Sequence, residues 1–129
     1  KSCKGIDAIV HLAGLAHGIS STHEQLYKIS VCSTELLLAA ADKQRVRRFV
    51  FMSSSLAATT DSQGIATTAY GRAKVAAEKL VMAQHKLGNM VCVILRPINI
   101  YGPGMRGNIA LLISLRIGNI LFNSPILAA

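Results

Sequence analysis

The 129-residue sequence predicts an α/β domain built on a parallel sheet with helical crossovers. Short apolar runs alternate with longer helical patterns, in the order strand, helix, strand, helix, strand, helix. The runs are continuously apolar, as strands covered on both faces are. Small aliphatic residues dominate the apolar half: 51% of the chain is hydrophobic, 5% is aromatic and Trp is absent.

The elements follow in order. Asp7–Ala13 (DAIVHLA) reads as a buried strand that ends in a turn at Gly14. From Thr22 to Gln44 the pattern is helical, with Leu26, Ile29, Thr34, Leu37 and Leu38 on one broad face. Arg47–Ser53 (RRFVFMS) is the second strand. Ser54–Thr68 is rich in Ser, Thr, Ala and Gly, and reads as a loop. A second helix runs from Ala69 to Leu87, closed by Gly88 and Asn89. Met90–Leu95 (MVCVIL) is the third strand, Arg96–Gly107 a loop, and a last helix is expected over Asn108–Ile117. Parallel sheets gather ligands at the carboxyl ends of their strands, so the loops after Ala13, Ser53 and Arg96 should form one site.

Composition excludes several function classes. Fourteen bases stand against six acids, a formal charge of +8, and no acid follows Glu78. The bases are scattered, and the densest group, Lys43, Arg45, Arg47 and Arg48, sits at a helix-to-strand junction with no aromatic interleaving. That argues against nucleic acid and fits a phosphate-bearing small molecule equally well. Cys3, Cys32 and Cys92 lack metal or redox spacing and read as reduced thiols, so a cytoplasmic location is expected; Cys32 and Cys92 read as core residues. His17, His23 and His85 show no metal spacing, and His11 reads as a packed histidine. No signal peptide is read at the start, and Ile109–Phe122, broken by Arg116 and Asn119, is too short and polar to span a bilayer. No membrane partner and no metal are expected.

The chemistry is expected at the second strand's end. Tyr70 and Lys74 are four residues apart and share a helix face. A lysine cation near a phenol favours the phenolate and would lower its pKa, making Tyr70 a usable acid or base. Ser53, Ser54 and Ser55 stand ready to bond a substrate hydroxyl or carbonyl. Taken alone, a tyrosine and lysine at this spacing are more often a solvated helix face. Their position just after a Ser-rich loop favours a site. Arg72 reads as a solvated helix residue, with a phosphate contact as the alternative.

Four stretches in this order, DAIVHLAG, RRFVFMSSS, AYGRAK and LRPINIYGPG, resemble the extended branch of the short-chain dehydrogenase/reductase superfamily, the NAD-dependent epimerases and dehydratases of nucleotide sugars. The resemblance covers about 100 residues. It implies a Rossmann-type doubly wound parallel sheet, of which this chain represents the second half only. It implies NAD or NADP as cofactor and a nucleotide-diphosphate sugar as substrate, with hydride passing between a sugar carbon and the nicotinamide. By resemblance, Tyr70 is the acid/base, Lys74 binds the nicotinamide ribose and lowers the Tyr70 pKa, and Ser55, rather than Ser54, orients the substrate. Leu12, Ala13, Gly14, Ser53, Pro97 and Ile98 would lie along the cofactor, and Asn99 would reach the substrate diphosphate. Such enzymes often dimerise through two helices, the Tyr-Lys one among them, so a homodimer is an open expectation.

Departures from the family pattern are specific. Ser30-Val31-Cys32-Ser33-Thr34 stands where N-V-x-G-T is usual, and the Ser55–Tyr70 loop is short. The chain starts past the glycine-rich pyrophosphate turn. The GPGMRG stretch at Gly102, Gly104 and Gly107 does not replace that turn, since loop residues separate it from the strand and no acid follows. Residues 1–129 are therefore expected to form a partial NAD(P)-binding domain. An inactive remnant and a non-catalytic binding module of the same fold are the alternatives.

Overall fold

The computed structural model describes residues 3–14 and 22–100. The expected last helix, the GPGMRG loop and His17 lie outside the described residues. The chain divides into two units, Lys1–Ile98 and Asn99–Ala129, each taken by itself.

Three strands form the first unit's sheet: β1 (Ala8–His11), β2 (Arg48–Met52) and β3 (Val91–Leu95). All pairings are parallel, in the order β1-β2-β3. The register aligns Ile9 with Phe49 and Cys92, and His11 with Phe51 and Ile94. These two rows face the helices, and Phe49 and Phe51 are the fully buried centre of the core. On the opposite face Val10, Val91, Val93 and Leu95 are exposed. The expectation of strands covered on both faces thus holds for one face among the described residues. The reason is topological. Two successive right-handed crossovers that step the same way along a sheet put their helices on the same side.

The first crossover is α1 (His23–Tyr27), a π-helical turn (Lys28–Cys32) and α2 (Ser33–Lys43). Thr22 and Gln25 start it with a capping box, each side chain accepting from the other's backbone N–H. The uniform helix expected from the sequence is interrupted, and the wide turn moves the buried stripe by one position. Leu26, Ser30, Val31, Thr34, Leu38 and Ala41 face inward, whereas Ile29, expected inside, is exposed. Within this turn the Ser33 hydroxyl donates to the Ile29 carbonyl, and the Thr34 hydroxyl donates to the Ser30 carbonyl at 2.7 Å.

The second crossover is α3 (Ala69–Lys86), whose amino end is capped by the Thr68 side chain accepting from Gly71 N–H at 2.9 Å. The loop before it is more ordered than its composition suggested. A 3₁₀ turn, Ser55–Ala57, is followed by a small hairpin with a Thr60–Ala66 bridge. There one Asp61 carboxylate oxygen accepts from the N–H groups of Gln63 and Ile65, each at 2.9 Å.

The two helices end differently. After α3 the chain reverses at Gly88, with φ of 80°. After α2 it reverses at Arg45, with φ of 57°. Arg45 N–H bonds the Asp42 carbonyl at 2.9 Å and Val46 N–H the Ala41 carbonyl at 3.0 Å, the paired bonds of a Schellman end. A left-handed non-glycine residue costs about 1–2 kcal/mol, and glycine's extra unfolded-state freedom offsets part of that on replacement. Arg45→Gly should therefore stabilise the chain by roughly 0.5–1 kcal/mol, read as a higher urea midpoint at unchanged slope.

Candidate active site

The inward stripe of α3 is Gly71, Ala73, Lys74, Ala77, Glu78 and Val81. Ala77 and Val81 join the core, as helical spacing dictates. The same stripe carries a lysine at 4% exposure and a glutamate at 6%, and ionised groups so deep need partners. Lys74 Nζ donates to the Met52 carbonyl, at the end of β2, at 2.9 Å. It lies over the Phe51 ring, 5.0 Å from the centroid, and 5.7 Å from the Tyr70 ring centroid. It also meets the end of β1, since a Cβ on Gly14 would sit 3.4 Å from Nζ. Glu78 is held from the end of β3: Arg96 Nε and Nη2 donate to its two carboxylate oxygens at 2.8 and 2.5 Å.

These partners set the protonation states. Burial depresses the Lys74 pKa, and the Glu78 charge opposes that only in part. Burial alone would raise Glu78, but the Arg96 hydrogen bonds, the nearby Ser53 hydroxyl and the Arg96 and Lys74 charges outweigh it, so the carboxyl falls below its ordinary value. For Tyr70 the expectation is overturned in direction. Its phenol is pushed up, because burial disfavours the phenolate. His11 is the packed histidine expected: it is buried against Phe49 and Phe51, its Nε2 lies 3.1 Å from the Thr34 hydroxyl, and burial and then the Lys74 charge depress its pKa.

The serine run separates into three environments. Ser53 N–H bonds the Leu95 carbonyl at 2.7 Å, and its side chain is buried. The Ser53 hydroxyl lies near enough to Glu78 to help lower its pKa, yet makes no hydrogen bond of ordinary geometry. Ser54 caps the 3₁₀ turn, its hydroxyl accepting from Leu56 N–H. Ser55 is half-buried at the start of that turn, with its N–H bonded to the Pro97 carbonyl at 3.0 Å. Leu12, Ala13 and Gly14 are exposed just past β1; Pro97 is half-buried and Ile98 exposed past β3. The structure thus gathers Gly14, Tyr70 and Lys74 around one ammonium, and ties Ser53 and Ser55 to the end of β3. Asn99 belongs to the second unit, not to the unit holding these residues.

Some site residues were missed by sequence reasoning. Glu78 lies four residues past Lys74, a spacing that could have flagged it. Arg96 was read only as the start of a loop. Gly71 had a signal too, being a glycine in the first turn of a helix. A Cβ there would lie 2.3 Å from the Leu56 carbonyl oxygen, so only glycine lets α3 rest on the Ser55–Ala57 turn. Arg72, read as a solvated residue, instead bonds the Ala66 carbonyl at 2.9 Å and the Thr67 carbonyl at 3.2 Å, pinning the hairpin to the helix. Among the described residues, no group of His, Cys, Asp or Glu could hold a metal, and no helix is long and apolar enough to cross a membrane.

Glycine to alanine within a helix normally gains close to 1 kcal/mol, but overpacking against backbone costs about 1–3 kcal/mol. Gly71→Ala should therefore be net destabilising in urea unfolding and should perturb the amide resonances of Ser55 and Leu56. A second expectation concerns acid. Because the folded-state pKa of Glu78 is depressed, its stabilising contribution is complete above the ordinary glutamate value of 4.5 and is lost as pH falls through the folded-state value. Unfolding measured as a function of pH should show this loss in the wild type and a flatter acid limb in Glu78→Gln.

Comparison with known proteins agrees with this fold. The chain is 31% identical over 126 residues to UDP-glucose 4-epimerase of Vibrio cholerae, covering 87% of this chain and 38% of that enzyme. It is 33% identical over 118 residues to 3 beta-hydroxysteroid dehydrogenase/Delta 5-->4-isomerase of Mycobacterium tuberculosis (strain CDC 1551 / Oshkosh), covering 78% and 32%. Its fold matches the solved structure of MoeE5 in complex with UDP-glucose and NAD, with a TM-score of 0.71 and 29% identity over 81% of this chain and 38% of that one. The chain therefore spans about a third of the length of its relatives. The model of the NAD dependent epimerase/dehydratase family matches residues 1–127, and the chain belongs to that family.

Proposed function

We propose that residues 1–129 carry the acid/base half of an NAD(P)-dependent enzyme that epimerises, dehydrates or reduces a nucleotide-diphosphate sugar, working in the cytoplasm. The observation that carries this reading is the placement of Lys74. Its ammonium sits where the ends of β1 and β2 meet the start of α3, beside the Tyr70 ring. The residues fit a dinucleotide. Lys74 uses one N–H on the Met52 carbonyl, and an ammonium has two more to offer a ribose. Gly14 lies beside it, where a Cβ would come within contact of Nζ at 3.4 Å. When bound, the nicotinamide ring accepts and returns hydride at a sugar carbon.

In this reading Tyr70 moves the proton of the reacting sugar hydroxyl. Burial keeps its phenol protonated at neutral pH, so it starts as a donor, and it needs the adjacent Lys74 cation to act as a base. Ser55 orients the same hydroxyl or its carbonyl product, from a turn fixed by the Pro97 carbonyl and by α3. Leu12, Ala13, Gly14, Ser53, Pro97 and Ile98 flank the cofactor. Exposed Leu36, Met82 and Leu87 on and just beyond α2 and α3 support a homodimer through those helices. The names of the Vibrio cholerae relative and of the MoeE5 complex favour a UDP-sugar and NAD.

Calorimetric titration of the chain with NAD tests the reading. Saturable binding is expected, weakened on the order of tenfold or more in Lys74→Met, since a hydrogen bond to a charged group contributes about 1.5–3 kcal/mol. Tyr70→Phe should keep binding and lose turnover of UDP-glucose. A folded chain that does not bind NAD would rule out cofactor binding and catalysis by residues 1–129 alone, and leave an inactive remnant or a piece that needs an amino-terminal half. Turnover of a 3β-hydroxysteroid in place of UDP-glucose would reassign the substrate class.

A further inference from the structure

We infer that Glu78, clamped by Arg96, is a positioning residue for Lys74, keeping the ammonium charged and in place between the strand ends. Several observations carry this. Lys74 and Glu78 are one helical turn apart on the buried stripe of α3. Among the described residues Lys74 makes no ion pair; its bonded partner is the neutral Met52 carbonyl. Glu78 is therefore the anion that can offset its burial, and the two act on each other through charge. Arg96 fixes where that charge sits, through two bonds from the end of β3. Ser53 completes the arrangement from β2, with a buried hydroxyl beside the carboxylate and no ordinary hydrogen bond.

The groups that act on Lys74 come from β1, β2, α3 and the residue after β3; α1, the π turn and α2 also pack on α3, but none of their charged groups, such as Glu24, Lys28 and Glu35, is among the causes that shift Lys74. His11 on β1 repels it weakly in the cationic form and is held neutral by burial. β2 presents Phe51 and the Met52 carbonyl, neither of which titrates. α3 presents Tyr70 and Glu78, and the residue after β3 presents Arg96 through Glu78. Glu78 is the acid of this set with a pKa below neutrality, so it sets the charge balance around Lys74 across the physiological range.

The inference rests on the proposed role of Lys74, but its test needs neither cofactor nor substrate. The Lys74 ε-carbon would be followed by NMR in chain labelled with ¹³C-lysine, its signal assigned by its absence in Lys74→Met. In the wild type the signal should show a second, small inflection at acid pH as Glu78 protonates, absent from Glu78→Gln, whereas one caused by His11 would persist there. In Glu78→Gln, which keeps the shape and removes the charge, the Lys74 midpoint should fall. In Glu78→Asp, which keeps the charge and loses the shape, it should stay nearer the wild-type value. Replacing both partners, as Glu78→Leu with Arg96→Leu, leaves no orphaned charge and should also lower the Lys74 midpoint. NAD affinity should then fall on the order of tenfold in Glu78→Gln at pH values where Lys74 has lost its proton, and recover at lower pH.

No acid inflection in the wild type, or equal midpoints in Glu78→Gln and Glu78→Asp, would overturn the inference and leave Glu78 as a structural ion pair. If Glu78→Gln does not fold, the double variant and the wild-type inflection decide. A lowered Lys74 midpoint in a chain that binds no NAD would sink the proposed function while leaving the positioning role intact.

Discussion

The structure turns on one demand: α3 carries two ionised residues, Lys74 and Glu78, on the face it must bury. An isolated charge moved out of water costs several kcal/mol even after relaxation, comparable to the whole stability of a small domain. The fold can keep both only by delivering partners from other elements. β2 ends so that the Met52 carbonyl meets the ammonium, and its Phe51 ring lies beneath. β3 ends so that Arg96 meets the carboxylate with both arms of its guanidinium. Each of these contacts is between a helix position and a strand end. Helix α3 is thereby held against the sheet by polar bonds at one end and by Ala77, Val81, Phe49 and Met90 in the core.

The same demand explains why the site forms where it does. Parallel strands joined by same-handed crossovers place all their carboxyl ends on one edge, with the helices starting nearby on one side. Lys74 lies one turn into α3, so it reaches the ends of β1 and β2. Glu78 lies one turn further on, and it meets the end of β3. Tyr70 precedes Lys74 by one turn, at the helix start, where Gly71 lets the helix rest on the Ser55 turn. One helical period thus spaces Tyr70, Lys74 and Glu78 along the edge. That is a stricter geometric reason for the tyrosine-lysine spacing than their chemistry alone.

Much of this was legible in the sequence. Continuous apolar runs located the three strands of the described residues, although helices cover only one face of them there. The Tyr70–Lys74 spacing placed both residues on one face of α3, because a helix repeats every 3.6 residues. Where reading failed, the cause was a departure from regular period or a contact distant in sequence. The π turn over Lys28–Cys32 adds no residue type that a window can detect; it shows only as Ile29 turned outward and Ser30 and Val31 turned inward. Glu78 looked like any helix-surface acid, because its partner Arg96 is 18 residues away and joins it only when β3 docks. The direction of the Tyr70 shift was misjudged because the spacing reveals a neighbouring charge but not the loss of water.

The three serines at the end of β2 show how far local rules can go when strand geometry is followed one residue at a time. Side chains alternate along a strand, and Phe49 and Phe51 point into the core. Ser53 continues that parity, so its side chain must go inward, and it is buried beside Glu78. Ser54 has the opposite parity and begins a turn, where a hydroxyl is most useful as a cap, and it caps Leu56. Ser55 is then the first serine past both duties, and its backbone is anchored to Pro97. The substrate contact proposed for this run is placed on that third residue. The first is spent on the interior and the second on the turn.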